Sequence, residues 1–172
     1  GFGKVFAKER KAKRYHVVKA YRFVVFWLYG FSAVAFMELL TPFISLWTSD
    51  TMVVSETVVL LIVINYYLLG HRTCINNVKS AGGIFSQDKY LSVVRAVVNL
   101  VVSILLGLWI GLPGVYIGTI VQGLLATIIK PVIVYRNIFG VPAKHYFTDG
   151  LRYLAVVVLS GGLCWGFRAW FM

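Results

Sequence analysis

Lysine and arginine are distributed very unevenly around five long apolar stretches, and this asymmetry is the feature that most restricts the possible fold. The stretches cover residues 23–47, 52–70, 91–110, 114–135 and 151–172. A helix rises about 1.5 Å per residue, so each stretch has roughly the 20 residues needed to cross a hydrocarbon core of about 30 Å. The sequence therefore predicts an all-α fold, a polytopic membrane bundle of about five transmembrane helices.

The basic residues also predict how the bundle is oriented. Of the 17 Lys and Arg residues, eight lie in residues 1–22, four in residues 72–95 and four in residues 130–152, and only Arg168 falls outside this scheme. The alternate connections, residues 48–51 and 111–113, contain none. Basic loops stay in the cytoplasm. We therefore expect residues 1–22 to form a basic cytoplasmic segment and residues 23–172 to form the transmembrane bundle.

Composition limits the class of protein and its partners. A hydrophobic content of 59% with a mean hydropathy of +0.81 is too apolar for a soluble domain of 172 residues. The net charge of +11 is divided among the predicted cytoplasmic loops, and no motif for reading bases accompanies it. The charge thus favours attraction to anionic membrane lipids, and we expect no nucleic-acid partner.

No group of residues in the sequence predicts catalysis, a metal site or a cofactor. His16, His71 and His145 are separated by tens of residues and lack the spacing of metal ligands. Cys74 and Cys164 are predicted near opposite sides of the membrane, so they form neither a disulfide framework nor a zinc site. We expect a protein that is not an enzyme.

Small residues recur at helical spacing in the fourth and fifth stretches. Gly114 and Gly118 are four residues apart, as are Gly162 and Gly166, and each pair provides a smooth face that another helix can approach closely. One interpretation is ordinary bundle packing, and the other is a sliding surface in a transporter that rocks between two states. Just before the first pair, Gly111-Leu-Pro-Gly114 predicts a tight external turn that places the third and fourth helices side by side.

Polar residues inside apolar stretches are costly in lipid, so they mark a cavity or a partner helix. Glu38, in the outer half of the first stretch, is either a coupling site for a proton or cation or an acid hydrated near the interface. Arg95 and Lys130 lie about one turn inside the cytoplasmic ends of their helices, where they either snorkel to the headgroups or attract an anionic substrate. Five uncharged residues favour either a polar cavity or interhelical hydrogen bonds: Asn65, Asn99, Ser103, Gln122 and Thr127.

Several segments, in order along the chain, resemble one family of membrane carriers. The segments are Phe26-Trp27-Leu28-Tyr29-Gly30-Phe31, Pro42-Phe43-Ile44-Ser45-Leu46-Trp47, Ala81-Gly82-Gly83-Ile84-Phe85-Ser86-Gln87-Asp88-Lys89-Tyr90, Asn99-Leu100-Val101-Val102-Ser103-Ile104, Gly114-Val115-Tyr116-Ile117-Gly118-Thr119 and Pro131-Val132-Ile133-Val134-Tyr135. The ordered set resembles the polysaccharide and oligosaccharide flippases of the multidrug/oligosaccharidyl-lipid/polysaccharide exporter superfamily. Three positions depart from the family's pattern, which argues against a fine substrate assignment: Glu38, Ser49 and Lys130.

The resemblance implies a carrier of the bacterial inner membrane with two helical lobes around a central cavity. Such carriers move an undecaprenyl-diphosphate-linked oligosaccharide to the outer leaflet by alternating access, for surface polysaccharide biosynthesis. The chain is then expected to be part of the C-terminal lobe, truncated at both ends, with the N-terminal lobe of the same parent chain missing.

The resemblance also directs the choice of site residues. Four basic residues are expected to hold the diphosphate by charge-assisted hydrogen bonds: Arg72, Lys79, Arg95 and Lys130. Three amides are expected to receive the sugars: Asn76, Asn99 and Gln122. Two alternatives stay open, a cation-coupled multidrug antiporter of the same superfamily with Glu38 as its coupling acid, and a non-transporting membrane scaffold for enzymes of glycan synthesis.

Overall fold

The computed structural model describes residues 10–47, 55–84 and 86–171, and these residues form a bundle of long helices. The helices are α1 (Lys11–Trp47), α2 (Glu56–Ala81), α3 (Ser86–Ile110), α4 (Leu112–Val134), a π-helical turn (Tyr135–Phe139) that continues α4, and α5 (Lys144–Phe171). Five helical segments are long and apolar enough to cross a membrane. The predicted all-α membrane bundle is thus confirmed for the described residues.

The helices are longer than the apolar stretches that predict them. α1 begins at Lys11, so residues 11–22 of the basic segment are helical, and α2 continues past Gly70 to Ala81. α3 and α5 also begin before their apolar stretches, at Ser86 and Lys144. The predicted outer turn at residues 48–51 lies outside the described residues. Hydropathy detects only the part of a helix that lies in lipid, whereas these helices continue into the predicted cytoplasmic region.

Two glycine-containing turns end helices, and the sequence predicts the second of them, at Gly111. α2 ends at Gly82, whose N–H donates to the carbonyl groups of Val78 and Lys79, and Gly83 follows with φ +72°. α3 and α4 are joined only through Gly111, which has φ +69°. Glycine adopts this left-handed conformation without steric cost, so the chain reverses within one residue. The tight turn between the third and fourth helices is confirmed.

Close packing centres on α2 and on the α3–α4 hairpin. α4 packs on α3 and α2, α2 also packs on α1, and α5 packs mainly on α1. At the predicted cytoplasmic end, a buried cluster joins α1, α2, the π-helical turn and the start of α5: Val18, Ile75, Val78, Val134, Tyr135, Ile138, Phe139, Ala143 and Tyr146. A second cluster, Ala33, Val59, Val63 and Tyr67, joins α1 to α2 farther along.

The two pairs of spaced glycines have different environments. A β-carbon at Gly114 would collide with the carbonyl of Leu106, and one at Gly118 would collide with Ser103. This pair therefore allows α3 and α4 to pack closely within the hairpin, which agrees with the interpretation as ordinary bundle packing. A β-carbon at Gly162 or Gly166 would meet no atom within 4 Å among the described residues. The second pair is accessible on α5 and packs against no helix of the described chain.

Candidate functional site

Polar side chains from three helices meet along the contact between α2, α3 and α4, which we call the polar seam. The seam consists of Asn65, Arg72 and Asn76 on α2, Arg95 on α3, and Gln122 and Lys130 on α4. Within each helix, spacings of four, seven or eight residues return a side chain to the same face. The sequence thus places each polar set along one line of its helix, and helix packing brings the three lines together.

Arg95 and Gln122 form the strongest contact of the seam. The Gln122 Oε1 atom accepts from Arg95 Nη2 at 2.6 Å and from Nε at 3.0 Å, and the Gln122 backbone oxygen lies 3.3 Å from Nε. Both residues are half-buried. Arg95 is therefore held across the α3–α4 interface, instead of extending along its helix to the headgroups. Of the two interpretations of Arg95, its geometry favours an inward-facing cation.

Arg72 lies beside this pair and is buried at 7% exposure. Its Nη2 donates to Asn65 Oδ1 at 3.4 Å and its Nε donates to the Leu68 carbonyl at 3.3 Å. A β-carbon at Gly123 would come within 2.7 Å of Arg72 Nη1, so the absence of a side chain there admits the guanidinium group. The charges of Arg72 and Arg95 repel each other electrostatically. Two like charges, on two helices that each pack against α4, thus lie within electrostatic range of each other.

Lys130 joins α4 to α2 at another point of the seam. Its Nζ donates to Asn76 Oδ1 at 2.9 Å, and the residue is 6% exposed. A lysine this deeply buried does not extend freely to the headgroups, so simple snorkelling does not describe it. The sequence names Asn76 and Lys130 separately, for sugars and for diphosphate, and the structure brings them into direct contact.

The other two predicted site residues, Asn99 and Lys79, lie farther along the helices that carry Arg95 and Arg72. Asn99 lies one turn after Arg95 on α3, and its Oδ1 accepts from Ser103 Oγ at 3.3 Å. Ser103 also donates to the Val115 carbonyl across the hairpin. Lys79 lies about two turns after Arg72 on α2, on the same line of the helix, and is half-buried. The hydrogen bond of Asn99 thus lies within α3, and Ser103 is the residue that makes the interhelical contact.

An elongated cavity of about 890 Å³ lies on the other side of α2 and α4, bounded by α1 and α5. Its walls are almost entirely apolar, from Leu60, Val63 and Ile64 on α2 to Leu154, Val157 and Val158 on α5. Glu38 is the one acidic residue among the described residues that line it. Among these, no seam side chain lines the cavity. The predicted site residues are thus divided between a cationic seam and an apolar cavity.

Arg22 is a functional candidate that the sequence does not single out. It is counted there among the cytoplasmic charges, yet it is 3% exposed and lies beneath the inner end of the cavity. Its guanidinium group donates to the Tyr135 hydroxyl at 3.2 Å and to the Tyr146 carbonyl at 3.0 Å, and lies 3.8 Å from the centre of the Tyr146 ring. The spacing of Arg22 relative to apolar residues could have indicated its burial, because Arg22 lies on the same buried face of α1 as Val18, Val25 and Phe26.

Comparisons of the chain with protein-family models, with curated protein sequences and with solved structures returned no match.

Proposed function

We propose that the chain is part of a flippase that moves undecaprenyl-diphosphate-linked oligosaccharide across the bacterial inner membrane for surface polysaccharide biosynthesis. The ordered resemblance of its segments to this family supports the proposal, as do the five membrane-spanning helices. Transport by alternating access would carry the diphosphate and sugars, which cannot cross hydrocarbon unaided, along polar groups inside the bundle.

The observation that carries the proposal is the arrangement of Arg72 and Arg95. Within the described residues, their guanidinium groups donate only to uncharged oxygen atoms, the side-chain oxygens of Asn65 and Gln122 and the carbonyls of Leu68 and Gln122. Burying a charge in a membrane protein is costly unless an opposite charge accompanies it. Two repelling cations without a carboxylate partner are therefore suited to bind an anion such as a diphosphate.

The uncharged seam residues suit the rest of the substrate. Asparagine and glutamine amides both donate and accept hydrogen bonds, which matches the hydroxyl groups of sugars. Gln122 and Asn76 presently accept from Arg95 and Lys130. When a diphosphate accepts the hydrogen bonds of Arg95 and Lys130 instead, the amide oxygens of Gln122 and Asn76 become available to the sugar hydroxyls. The cations and amides of the seam would thus bind the two polar parts of one substrate in succession.

Binding of undecaprenyl diphosphate to the purified protein in detergent tests the charge-capture step. We expect the double variant Arg72→Gln/Arg95→Gln to weaken binding by at least about tenfold, because charge-assisted hydrogen bonds to the phosphates are lost. Arg136→Gln is the matched control, since Arg136 is an exposed cation of the π-helical turn. Equal affinities for the double variant and the control would contradict the assignment of the seam.

Surface polysaccharide in cells tests the transport step. A bacterial strain that lacks the gene encoding this chain is complemented with the wild-type gene, with the double variant or with Arg136→Gln. We expect the wild-type gene and the control to restore surface glycan on immunoblots and the double variant to restore much less. If deletion of the gene leaves surface glycan unchanged, the flippase proposal fails.

The cavity favours a second candidate, a cation-coupled multidrug antiporter. A large apolar cavity with one carboxylate among its described lining residues is suited to a lipophilic cation. In that case Glu38 binds the coupling ion or the drug, and Glu38→Gln abolishes the efflux of cationic dyes. Asp149→Gln is the control variant, because Asp149 is an acidic residue that does not line the cavity. If deletion of the gene leaves dye efflux unchanged, the antiporter candidate fails.

A further inference from the structure

A buried cation whose hydrogen bonds are incomplete, Arg22, lies behind the inner end of the apolar cavity, where it packs on the ring of Tyr146, a residue of the cavity wall. Arg22 donates from Nη1 to the Tyr135 hydroxyl and from Nη2 to the Tyr146 carbonyl, while its Nε is buried without a partner among the described residues. Neither acceptor is an anion. Burying a charged group is costly when its hydrogen bonds and its charge are not matched. A negatively charged ligand at this site would therefore lower the free-energy cost of burying the Arg22 charge.

No carboxylate of the described residues forms an ion pair with Arg22. Asp149, one turn after Tyr146 on α5, is half-buried, and both Asp149 and Arg22 act electrostatically on Tyr153. Asp149 nevertheless makes no ion pair with the guanidinium group. His71 on α2 lies within the electrostatic range of Arg22 as well. The groups around Arg22 are thus mostly tyrosines and a histidine, which leave its charge largely uncompensated.

A second, independent group at this end also lacks a partner. Tyr67 is 7% exposed, lines the cavity, and has a hydroxyl that is buried without a hydrogen-bond partner among the described residues. His71 lines the cavity beside it, with the two ring centres 4.8 Å apart. A tyrosine hydroxyl and an imidazole N–H are both donors to oxygen anions. Together with Arg22 they form a set of donors at one end of the cavity.

The shape of the cavity indicates what the anion is attached to. Between Tyr146 and Trp165 the cavity follows α5 for about 28 Å, at ~1.5 Å per residue, which is close to the thickness of the hydrocarbon core. Its nearly apolar walls favour the burial of a hydrocarbon chain. Because α4 packs on α2 and α3 whereas α5 packs on α1, the space between α4 and α5 is open at the side. In a membrane, lipid chains have direct access to it.

We propose that this cavity binds an anionic glycerophospholipid of the cytoplasmic leaflet, with its phosphate at Arg22, Tyr67 and His71 and an acyl chain along the apolar walls. Basic pockets between transmembrane helices bind such headgroups. Lys11, an exposed cation of α1, precedes Arg22 and attracts anionic lipid to this end of the bundle. The proposal is independent of the polar seam and of the flippase function.

Native mass spectrometry of the purified chain tests the headgroup contact. The protein in detergent is titrated with dioleoyl-phosphatidylglycerol or with dioleoyl-phosphatidylcholine, which have identical acyl chains. We expect phosphatidylglycerol to bind at least about tenfold more tightly, because only it retains a net negative charge for Arg22. Arg22→Gln should remove this preference, Arg22→Lys should keep most of it, and Lys19→Gln, on the same helix, should change it less than about twofold.

A second pair of variants tests the acyl-chain contact. Gly162 lines the cavity and Gly166 does not, and a β-carbon added at either position meets no described atom within 4 Å. We expect Gly162→Phe to lower the affinity for both lipids by about tenfold, because the phenylalanine ring occupies the space of the acyl chain. Gly166→Phe should leave both affinities unchanged. Inorganic phosphate at millimolar concentration should not displace phosphatidylglycerol, since it has no chain to fill the cavity.

Three results would overturn the lipid site. They are equal binding of the two lipids, equal effects of Arg22→Gln and Lys19→Gln, and equal effects of the two phenylalanine variants. Displacement by inorganic phosphate would instead assign the donors to a free anion. If Arg22→Gln does not fold, the lipid preference of the wild-type protein and the phenylalanine pair decide the question. Arg72→Gln/Arg95→Gln should leave phosphatidylglycerol binding unchanged, which separates this site from the seam.

Discussion

Arg22 shows how one side chain can join three parts of a membrane protein. It projects from α1, donates to the Tyr135 hydroxyl in the π-helical turn, and donates to the Tyr146 carbonyl at the start of α5. The aromatic rings around it pack edge to face, with the centres of the Tyr135 and Tyr146 rings 5.6 Å apart. Arg22 therefore stabilises the position of α5 at the inner end of the bundle, in addition to any ligand that it binds.

The Tyr135→Phe variant isolates one of these contacts. The change removes the acceptor of Arg22 Nη1 and keeps the ring, so we expect the free energy of unfolding to fall by about 1.5–3 kcal/mol, the range for hydrogen bonds to charged groups. Equilibrium unfolding in mixed detergent micelles measures it.

Tyr153→Phe is the control for this loss. Its ring stacks on Phe26 with centres 4.3 Å apart, and its hydroxyl makes no hydrogen bond to another described residue. We expect its free energy of unfolding to change little. Equal losses in the two variants would show that the bond between Arg22 and Tyr135 does not contribute to stability.

Which individual residues matter could be predicted only in part. The sequence singles out Arg95, Gln122 and Lys130 because polar groups are rare in apolar stretches, and the resemblance adds Asn76. The structure pairs Arg95 with Gln122 and Lys130 with Asn76 across helices. It does not single out Arg22, because a cation before an apolar stretch looks like an ordinary cytoplasmic charge. Its burial depends on the inner ends of three other elements, which no local pattern in α1 reveals.

At the scale of the elements, the α3–α4 hairpin depends on the small size of Gly118. We expect Gly118→Leu to lower the free energy of unfolding by about 1–3 kcal/mol, because the side chain must push α3 away from its contact at Ser103. Gly166→Leu is the matched control on α5, where an added β-carbon meets no described atom within 4 Å. Thermal unfolding in detergent compares them, and similar transition temperatures would contradict close packing at Gly118.

The existence and order of the helices were predictable from hydropathy, but their ends were not. Apolar stretches locate the part of each helix in lipid, whereas the inner parts of α1, α2 and α5 are stabilised by packing in the aromatic cluster around Tyr135. The turns at Gly82 and Gly111 were predictable, because glycine marks them in the sequence itself. Which of two similar glycine pairs would pack could not be predicted, since that depends on the neighbouring helix.

At the scale of the whole molecule, the basic loops predict the orientation in the membrane, and cysteine labelling tests it. Ser80→Cys and Leu112→Cys are made with Cys74 and Cys164 replaced by serine. Both new positions are exposed, at opposite ends of the bundle. A membrane-impermeant maleimide added to intact cells should label Leu112→Cys and should label Ser80→Cys only after the cells are opened. The reverse pattern would invert the predicted topology.

The separation of the polar seam from the apolar cavity was not predictable from the sequence. Polar residues in four of the five stretches are compatible with one shared cavity. Only the pairing of helices shows that Arg72 and Arg95 lie on one side of α2 and α4 while Glu38 lies on the other. Hydropathy gives the depth of a residue along its helix, but it does not say which neighbour each helix face meets. That choice is made by packing among all five helices.

The inward-facing arginines also couple the protein to the electrical potential of the membrane. A charge that crosses the whole field changes in free energy by about 2.3 kcal/mol per 100 mV. With the orientation that the basic loops predict, an inside-negative voltage pulls Arg72 and Arg95 toward the cytoplasm. Any rearrangement that moves the seam outward opposes this force unless an anion travels with it. In the proposed flippase, voltage would therefore return the empty carrier to the cytoplasmic side and oppose the loaded one less.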